Sequence, residues 1–255
     1  MQPRSGPPRH RVAIVTGAGS GIGRATAVRL SADGFHLALC GRREDRLHET
    51  AALLHGPSLV VPTDVTDPAA VTALVSRTTQ RLGGVDVVVN NAGISRSAAL
   101  ADVRLREWRE VMTADVESVL LVTQAALPRL LERRGNVVNV ASVAGLGGDP
   151  GMAMYNAAKG ALVNLTRSLA VELAPAGIRV NAVAPSLTTT DATADIPPAD
   201  VAAFLARIPM GRAAEPAEVA DVISFLAGAD ARFVTGVVLP VDGGLRAGSG
   251  QPPHR

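Results

Sequence analysis

Aromatic side chains are nearly missing from this chain, which has one Tyr, one Trp and four Phe among 255 residues. Val, Leu, Ile and Ala must therefore fill the core, and a lone Tyr is hard to read as routine core filling. Cysteine occurs once, at Cys40, which excludes a disulfide framework and a Cys-based metal site. In its apolar run Cys40 reads as an inert core residue. No apolar stretch is long enough to span a membrane, and the opening MQPRSGPPRH has no apolar signal core. Charge of one sign is lacking too: the net charge is +2 and the Arg residues are dispersed, which argues against a nucleic-acid partner. A soluble cytoplasmic protein is expected.

What is present is an ordinary globular composition, 47% hydrophobic and 19% charged, at a length that one α/β domain can fill. Residues 1–10 and 247–255, rich in Pro, Gly and Arg, read as loose tails around a single domain at 11–246. Apolar strand candidates stand at Val12–Thr16, His36–Cys40, Ser58–Pro62, Val85–Asn90, Asn136–Ala141, Arg179–Ala184 and Val237–Val241. They are continuously apolar, as strands buried on both faces should be. Amphipathic helix candidates alternate with them at Gly21–Asp33, Arg43–His55, Pro68–Leu82, Arg106–Leu131, Met154–Ala174 and Pro216–Ala227. Such alternation predicts a doubly wound, Rossmann-type parallel sheet of about seven strands with helices on both faces. Residues 186–212 break the rhythm. They carry Pro197 and Pro198 and a short helix candidate near Asp200–Arg207, and they suit a lid over the carboxyl ends of the strands.

The first strand runs into Thr16-Gly17-Ala18-Gly19-Ser20-Gly21-Ile22-Gly23, which opens the first helix. Glycine lets a pyrophosphate approach the backbone there, and the helix N-terminus attracts it. At the end of the second strand, where an NAD site usually places an acid for the ribose 2′-hydroxyl, stand Gly41, Arg42 and Arg43. Guanidinium groups suit a 2′-phosphate, so NADP(H) is the preferred cofactor, with NAD(H) possible. Asp64 and Val65 follow the third strand, with Asp64 placed for an adenine amino group. Asn91, Ala92 and Gly93 follow the fourth, where they can border the ribose while Asn90 supports the central strands.

Tyr155 and Lys159 lie four apart on one helix, so the ammonium stands beside the phenol and eases its loss of a proton. Together these motifs resemble the short-chain dehydrogenase/reductase family, over about Arg11 to Leu245. The family's T-G-x-x-x-G-x-G, N-N-A-G and Y-x-x-x-K appear in order. Its Ser falls at Ser142, 13 positions before the Tyr, and Val241-Asp242-Gly243-Gly244 looks like its late turn. The resemblance implies that Ser142 holds the substrate oxygen, Tyr155 transfers the proton and Lys159 holds the nicotinamide ribose. Pro185, Ser186, Thr188 and Thr190 match P-G-x-x-x-T, whose Thr bonds the carboxamide, though Ser186 replaces its Gly. The fourth catalytic position, usually Asn, is Asp115, a carboxylate expected to make Lys159 hold its proton more tightly.

The resemblance implies interconversion of a carbonyl and a secondary alcohol on a small molecule, with 3-oxoacyl thioesters and secondary-metabolite ketones among the options. Ile94, Ser95, Gly148, Met152 and Met154 are candidates to line the substrate site, with ordinary packing the competing reading for Met154. The family's assembly mode implies a homotetramer or homodimer through the long helices and last strand. The opposed reading is a nucleotide-binding sensor or assembly subunit without turnover. The presence of Ser142, Tyr155 and Lys159 together argues against it.

Overall fold

The computed structural model describes residues 10–248; of the expected tails at 1–10 and 247–255, residues 1–9 and 249–255 lie outside the described residues. Seven strands form one sheet in the order β3-β2-β1-β4-β5-β6-β7, and every adjacent pair is parallel. The strands are β1 (Arg11–Thr16), β2 (Phe35–Gly41), β3 (Ser58–Pro62), β4 (Val87–Asn90), β5 (Asn136–Val140), β6 (Arg179–Pro185) and β7 (Val238–Val241). The helices are α1 (Gly21–Ala32), α2 (Glu44–Ala51), α3 (Pro68–Leu82), α4 (Leu105–Met112), α5 (Ser118–Arg133), α6 (Ala153–Leu173), α7 (Pro198–Leu205) and α8 (Pro216–Ala227).

Side chains alternate across the strands, so the two faces hold separate cores. Val15, Leu37 and Val89 pack with Leu30 of α1 and Ile223 and Leu226 of α8. Ile14, Ala38 and Val88 face the other way, against Leu74 of α3, Val122 and Leu130 of α5 and Ala170 of α6. Aliphatic residues dominate both, and Phe35 is the one aromatic among the largest fully buried side chains. Cys40 is buried in the second layer, and burial pushes its thiol up to about 12.

The expected elements are present, with shifted ends. β4 begins at Val87, not Val85: the Asp86 backbone donates to Val12 O, while the Val12 N–H donates to the Asp86 carboxylate. α2 starts one residue after Arg43, which is extended, and stops at Ala51; the His55 and Gly56 N–H groups donate instead to Ser31 Oγ. The short helix near 200 begins at Pro198, whose fixed φ suits a first turn. The largest departure is in the long central helix. The helical run expected over 106–131 is continuous but contains a π-turn at Thr113–Glu117 between α4 and α5, with Asp115 at its centre. Period-3.6 reasoning cannot locate an extra residue of this kind. Among the described residues no helix is long and apolar enough to cross a membrane.

Candidate active site

Parallel strands bring the carboxyl ends of β1, β4, β5 and β6 to one edge, and the motif residues lie in the loops that leave it. The turn after β1 is tied down by Thr16. Its Oγ1 accepts from the Asn91 and Ala92 N–H groups and donates to Val89 O. Asn91 Nδ2 donates to Thr16 O at 3.0 Å. Gly17 has φ +66°, and a Cβ there would lie 2.7 Å from Asn91 Nδ2. Asn91 and Ala92 thus brace the glycine turn from the neighbouring strand. Thr16 opens the glycine motif in the sequence, but its bonds to Asn91 and Ala92 come from a distant strand and were not readable there.

Ser20 is the N-cap of α1, but its hydroxyl caps no N–H, so no side chain of the cap occupies the first-turn donors. Gly17, Gly19, Gly21, Ile22 and Gly23 surround that end. The Arg43 guanidinium donates to Ser20 Oγ at 3.2 Å, which places a cation beside it. Arg42 is exposed on the same loop. Asp64 is exposed and accepts from the Thr66 N–H and Oγ1 at 3.0 and 2.7 Å. These bonds first, and then Arg42, hold its carboxyl below the ordinary range. Val65 is half-buried against the second core. These donors and this open helix end fit a dinucleotide.

After β6, Ser186 N donates to Val241 O and Thr188 is buried, bridged to Ala214. Thr190 caps a short turn with Thr193, and its methyl lies 3.0 Å from where a Gly21 Cβ would stand. Pro185 O accepts from Ser142 Oγ at 3.5 Å. The 186–212 segment therefore touches the glycine turn through Thr190, and the end of β6 that leads into it touches the serine through Pro185.

Ser142 ends the extended run of β5, and its Oγ accepts from Ala144 N at 3.2 Å. This turn docks on α6 through Asn156, whose Nδ2 donates to Ala144 O at 2.9 Å, Gly147 O at 3.1 Å and Asp149 at 3.2 Å. Asn156 stands inside the Y-x-x-x-K motif, yet its role as a clamp escaped the sequence reading. On α6, Tyr155 is half-buried and Lys159 Nζ lies 5.5 Å from its ring centroid. Lys159 Nζ donates to Val140 O at 3.2 Å and stands 2.9 Å from Asp115 Oδ2. Asp115 Oδ1 accepts from Ile94 N at 2.7 Å, and its carboxylate lies against Gly93. Burial opposes the Lys159 charge, but Tyr155 and Asp115 outweigh it and hold its pKa above the ordinary value. The expected carboxylate–lysine contact is present as a direct ion pair.

Of the expected substrate-lining residues, Ser95 and Gly148 are exposed and Met152 is half-buried. Met154 follows the packing reading: it is buried with Val111 and Ala158, because its place on α6 turns it toward α4. A groove of about 680 Å³ lies elsewhere, between α1 and α8, lined by Gly21, Ala25, Val28, Thr190 and Ala220. None of Ser142, Tyr155 or Lys159 lines it.

A parallel doubly wound sheet with a glycine turn at the first strand end and a Ser–Tyr–Lys set at the same edge defines a nicotinamide-dependent oxidoreductase. A family model described as enoyl-(acyl carrier protein) reductase matches residues 17–246. The chain belongs to the short-chain dehydrogenase/reductase family. It is 43% identical to meso-2,3-butanediol dehydrogenase of Serratia marcescens, covering 95% of this chain and 97% of that one. It is 44% identical to cis-4-hydroxycyclohexanecarboxylate dehydrogenase of Sinomonas cyclohexanicum, covering 93% and 97%. With 3-oxoacyl-[acyl-carrier-protein] reductase FabG of Thermotoga maritima the identity is 39%, covering 92% and 97%. A crystal structure of levodione reductase superposes with a TM-score of 0.90 at 36% identity, covering 94% of this chain and 99% of that one.

Proposed function

We propose that the protein interconverts a small carbonyl compound and its secondary alcohol using NADP(H). The observation that carries this reading is the buried Lys159 ammonium beside the Tyr155 ring, on a helix to which Asn156 fastens the Ser142 turn. The nicotinamide, when bound, supplies or accepts the hydride. Ser142 turns its hydroxyl from Pro185 O toward the substrate oxygen and holds it. Tyr155 protonates that oxygen in reduction and takes the proton back in oxidation. Lys159 binds the ribose hydroxyls and keeps the phenol in reach. Gly17, Gly19, Ser20, Gly21, Ile22 and Gly23 hold the pyrophosphate. Arg42 and Arg43 hold the 2′-phosphate, and NAD(H) is the weaker partner. Asp64 and Val65 border the adenine; Asn91, Ala92 and Gly93 border the ribose. Pro185, Ser186, Thr188 and Thr190 border the carboxamide, with 186–212 as a lid.

Relatives named for a butanediol, a hydroxycyclohexanecarboxylate and levodione support a small hydroxy or keto compound as substrate. The relative named as a 3-oxoacyl-carrier reductase supports a thioester as the second option. Exposed Leu120 and Leu131 on α5, Val171 on α6 and Phe225 on α8 support a homotetramer or homodimer. We take it to work in the cytoplasm. A screen of ketones and alcohols with NADPH, NADH and their oxidised forms tests the reading. Tyr155→Phe should abolish turnover and leave NADPH binding intact; near-normal turnover in that variant defeats the mechanism.

A further inference from the structure

Asp115 reaches Lys159 from outside its helix. The π-turn swings this side chain inward until none of it is exposed, and the Lys159 side chain is only 6% exposed. Oδ1 is committed to Ile94 N at 2.7 Å, and Oδ2 stands 2.9 Å from Lys159 Nζ. The loop after β4 is shaped to this carboxylate: a Cβ on Gly93 would lie 2.9 Å from Oδ2. An Asn here would keep the Ile94 bond and leave the ammonium unopposed.

We propose that Asp115 is a positioning residue that neutralises Lys159, keeps Tyr155 in its protonated form and so tunes the site toward protonating a carbonyl oxygen. The proposal rests on Tyr155 being the proton donor, as argued above. A lone ammonium beside a phenol favours phenolate. A carboxylate in contact with that ammonium cancels most of its field, and in a buried site the field is weakly screened by solvent. Reduction starts from the phenol and oxidation from the phenolate, so the pair lowers oxidation at neutral pH without touching substrate. Other charges on the packed elements are engaged elsewhere or face solvent. Asp149 accepts from Asn156, and Glu110 pairs with Arg96 and Arg106 at the surface. Glu117 accepts from Thr113 Oγ1, Glu107 is half-buried on α4, Arg109 is exposed, and Arg179 donates to Val234 O and Gly228 O.

The chain has a single Tyr, so its near-ultraviolet tyrosinate absorbance titrates Tyr155 alone. In Asp115→Asn the midpoint of that titration should fall by about one pH unit, the scale of one nearby charge. The acid limb of kcat/KM for oxidation of meso-2,3-butanediol with NADP should move down by the same amount. Lys159→Met should move the absorbance midpoint up. If the Asn variant does not fold, Asp115→Ser carries the same expectation. An unmoved or raised midpoint in the Asp115 variants overturns the proposal, as does a lower kcat with an unmoved limb. A downward shift in a chain that turns over no alcohol or ketone supports the charge role while defeating the functional reading on which it was built.

Discussion

Gly145 stands where the turn after β5 meets the backbone of the helix that carries Lys159: a Cβ on Gly145 would lie 2.5 Å from Lys159 O. The turn and the helix therefore touch main chain to main chain, and the Ser142–Tyr155 spacing is set by that contact. Gly145→Ala should push the two apart and lower kcat by about 10²-fold, since small misplacements of reacting groups cost that much. NADPH affinity should change little. Steady-state kinetics beside a fluorescence titration checks both.

The buried ion pair makes a second prediction, about stability. Lys159→Met leaves the Asp115 carboxylate buried beside a side chain that offers it nothing. It should destabilise the fold by about 3–5 kcal/mol in urea unfolding. Adding Asp115→Asn to the same chain should restore part of that loss, because the amide still accepts from Ile94 N. A double variant no more stable than Lys159→Met contradicts the pairing.

Arg43 donates to Ser20 Oγ at the open end of α1, and Arg42 neighbours it. Replacing both by Ala should weaken NADPH by about tenfold or more, the cost of losing charge-assisted bonds to a phosphate, and leave NADH unaffected. Isothermal titration with both cofactors reads the difference. Equal losses for the two would show that these Arg residues hold no 2′-phosphate.

Half-buried Glu218 accepts from Arg212 and from the Glu215 N–H, and these bonds pull its pKa to about 2 from an ordinary 4.5. Because the folded value is depressed, the stabilisation is present above pH 4.5 and is lost as pH falls toward about 2. Glu218→Gln should lower the melting temperature slightly near neutrality and flatten its dependence on pH within that window, so that the two proteins converge toward about pH 2. Screening keeps the effect modest, and added salt should shrink it further.

Cys40 is the single cysteine, is buried, and has its thiol pushed up to about 12. A thiol reagent at neutral pH should leave the native protein unlabelled, and labelling should follow the unfolding rate. Fast labelling of the native state would place Cys40 elsewhere.

The strands, their alternation with helices and the spacing of Ser142, Tyr155 and Lys159 were legible because they follow from local signals. Continuously apolar runs mark strands covered on both faces, and the Ser142, Tyr155 and Lys159 spacing survives any detail of packing. What escaped depends on groups far apart in the chain. Asn156 grips Ala144 and Gly147, Arg43 reaches Ser20, and Thr16 serves Asn91 and Ala92. No periodicity encodes those meetings. Asp115 lies between these cases: its place in the motif was readable, but its direct contact with Lys159 needed the π-turn, which alters the helical count.

Asn90 and Asn139 face each other across β4 and β5, and Asn90 Nδ2 donates to Asn139 Oδ1 at 2.9 Å. Asn139 Nδ2 then donates to Thr166 Oγ1, which donates to Leu162 O. Asn139 and Thr166 each receive from one side and give to the other, so the row has a polarity. Sliding β5 by one residue would bring a valine opposite Asn90 and turn Asn139 to the opposite side of the sheet. In a sheet whose inner strands are otherwise rich in interchangeable valines, this row acts as an error check on assembly. A mispaired β5 would bury bare amides and be rejected before the catalytic edge could form around it.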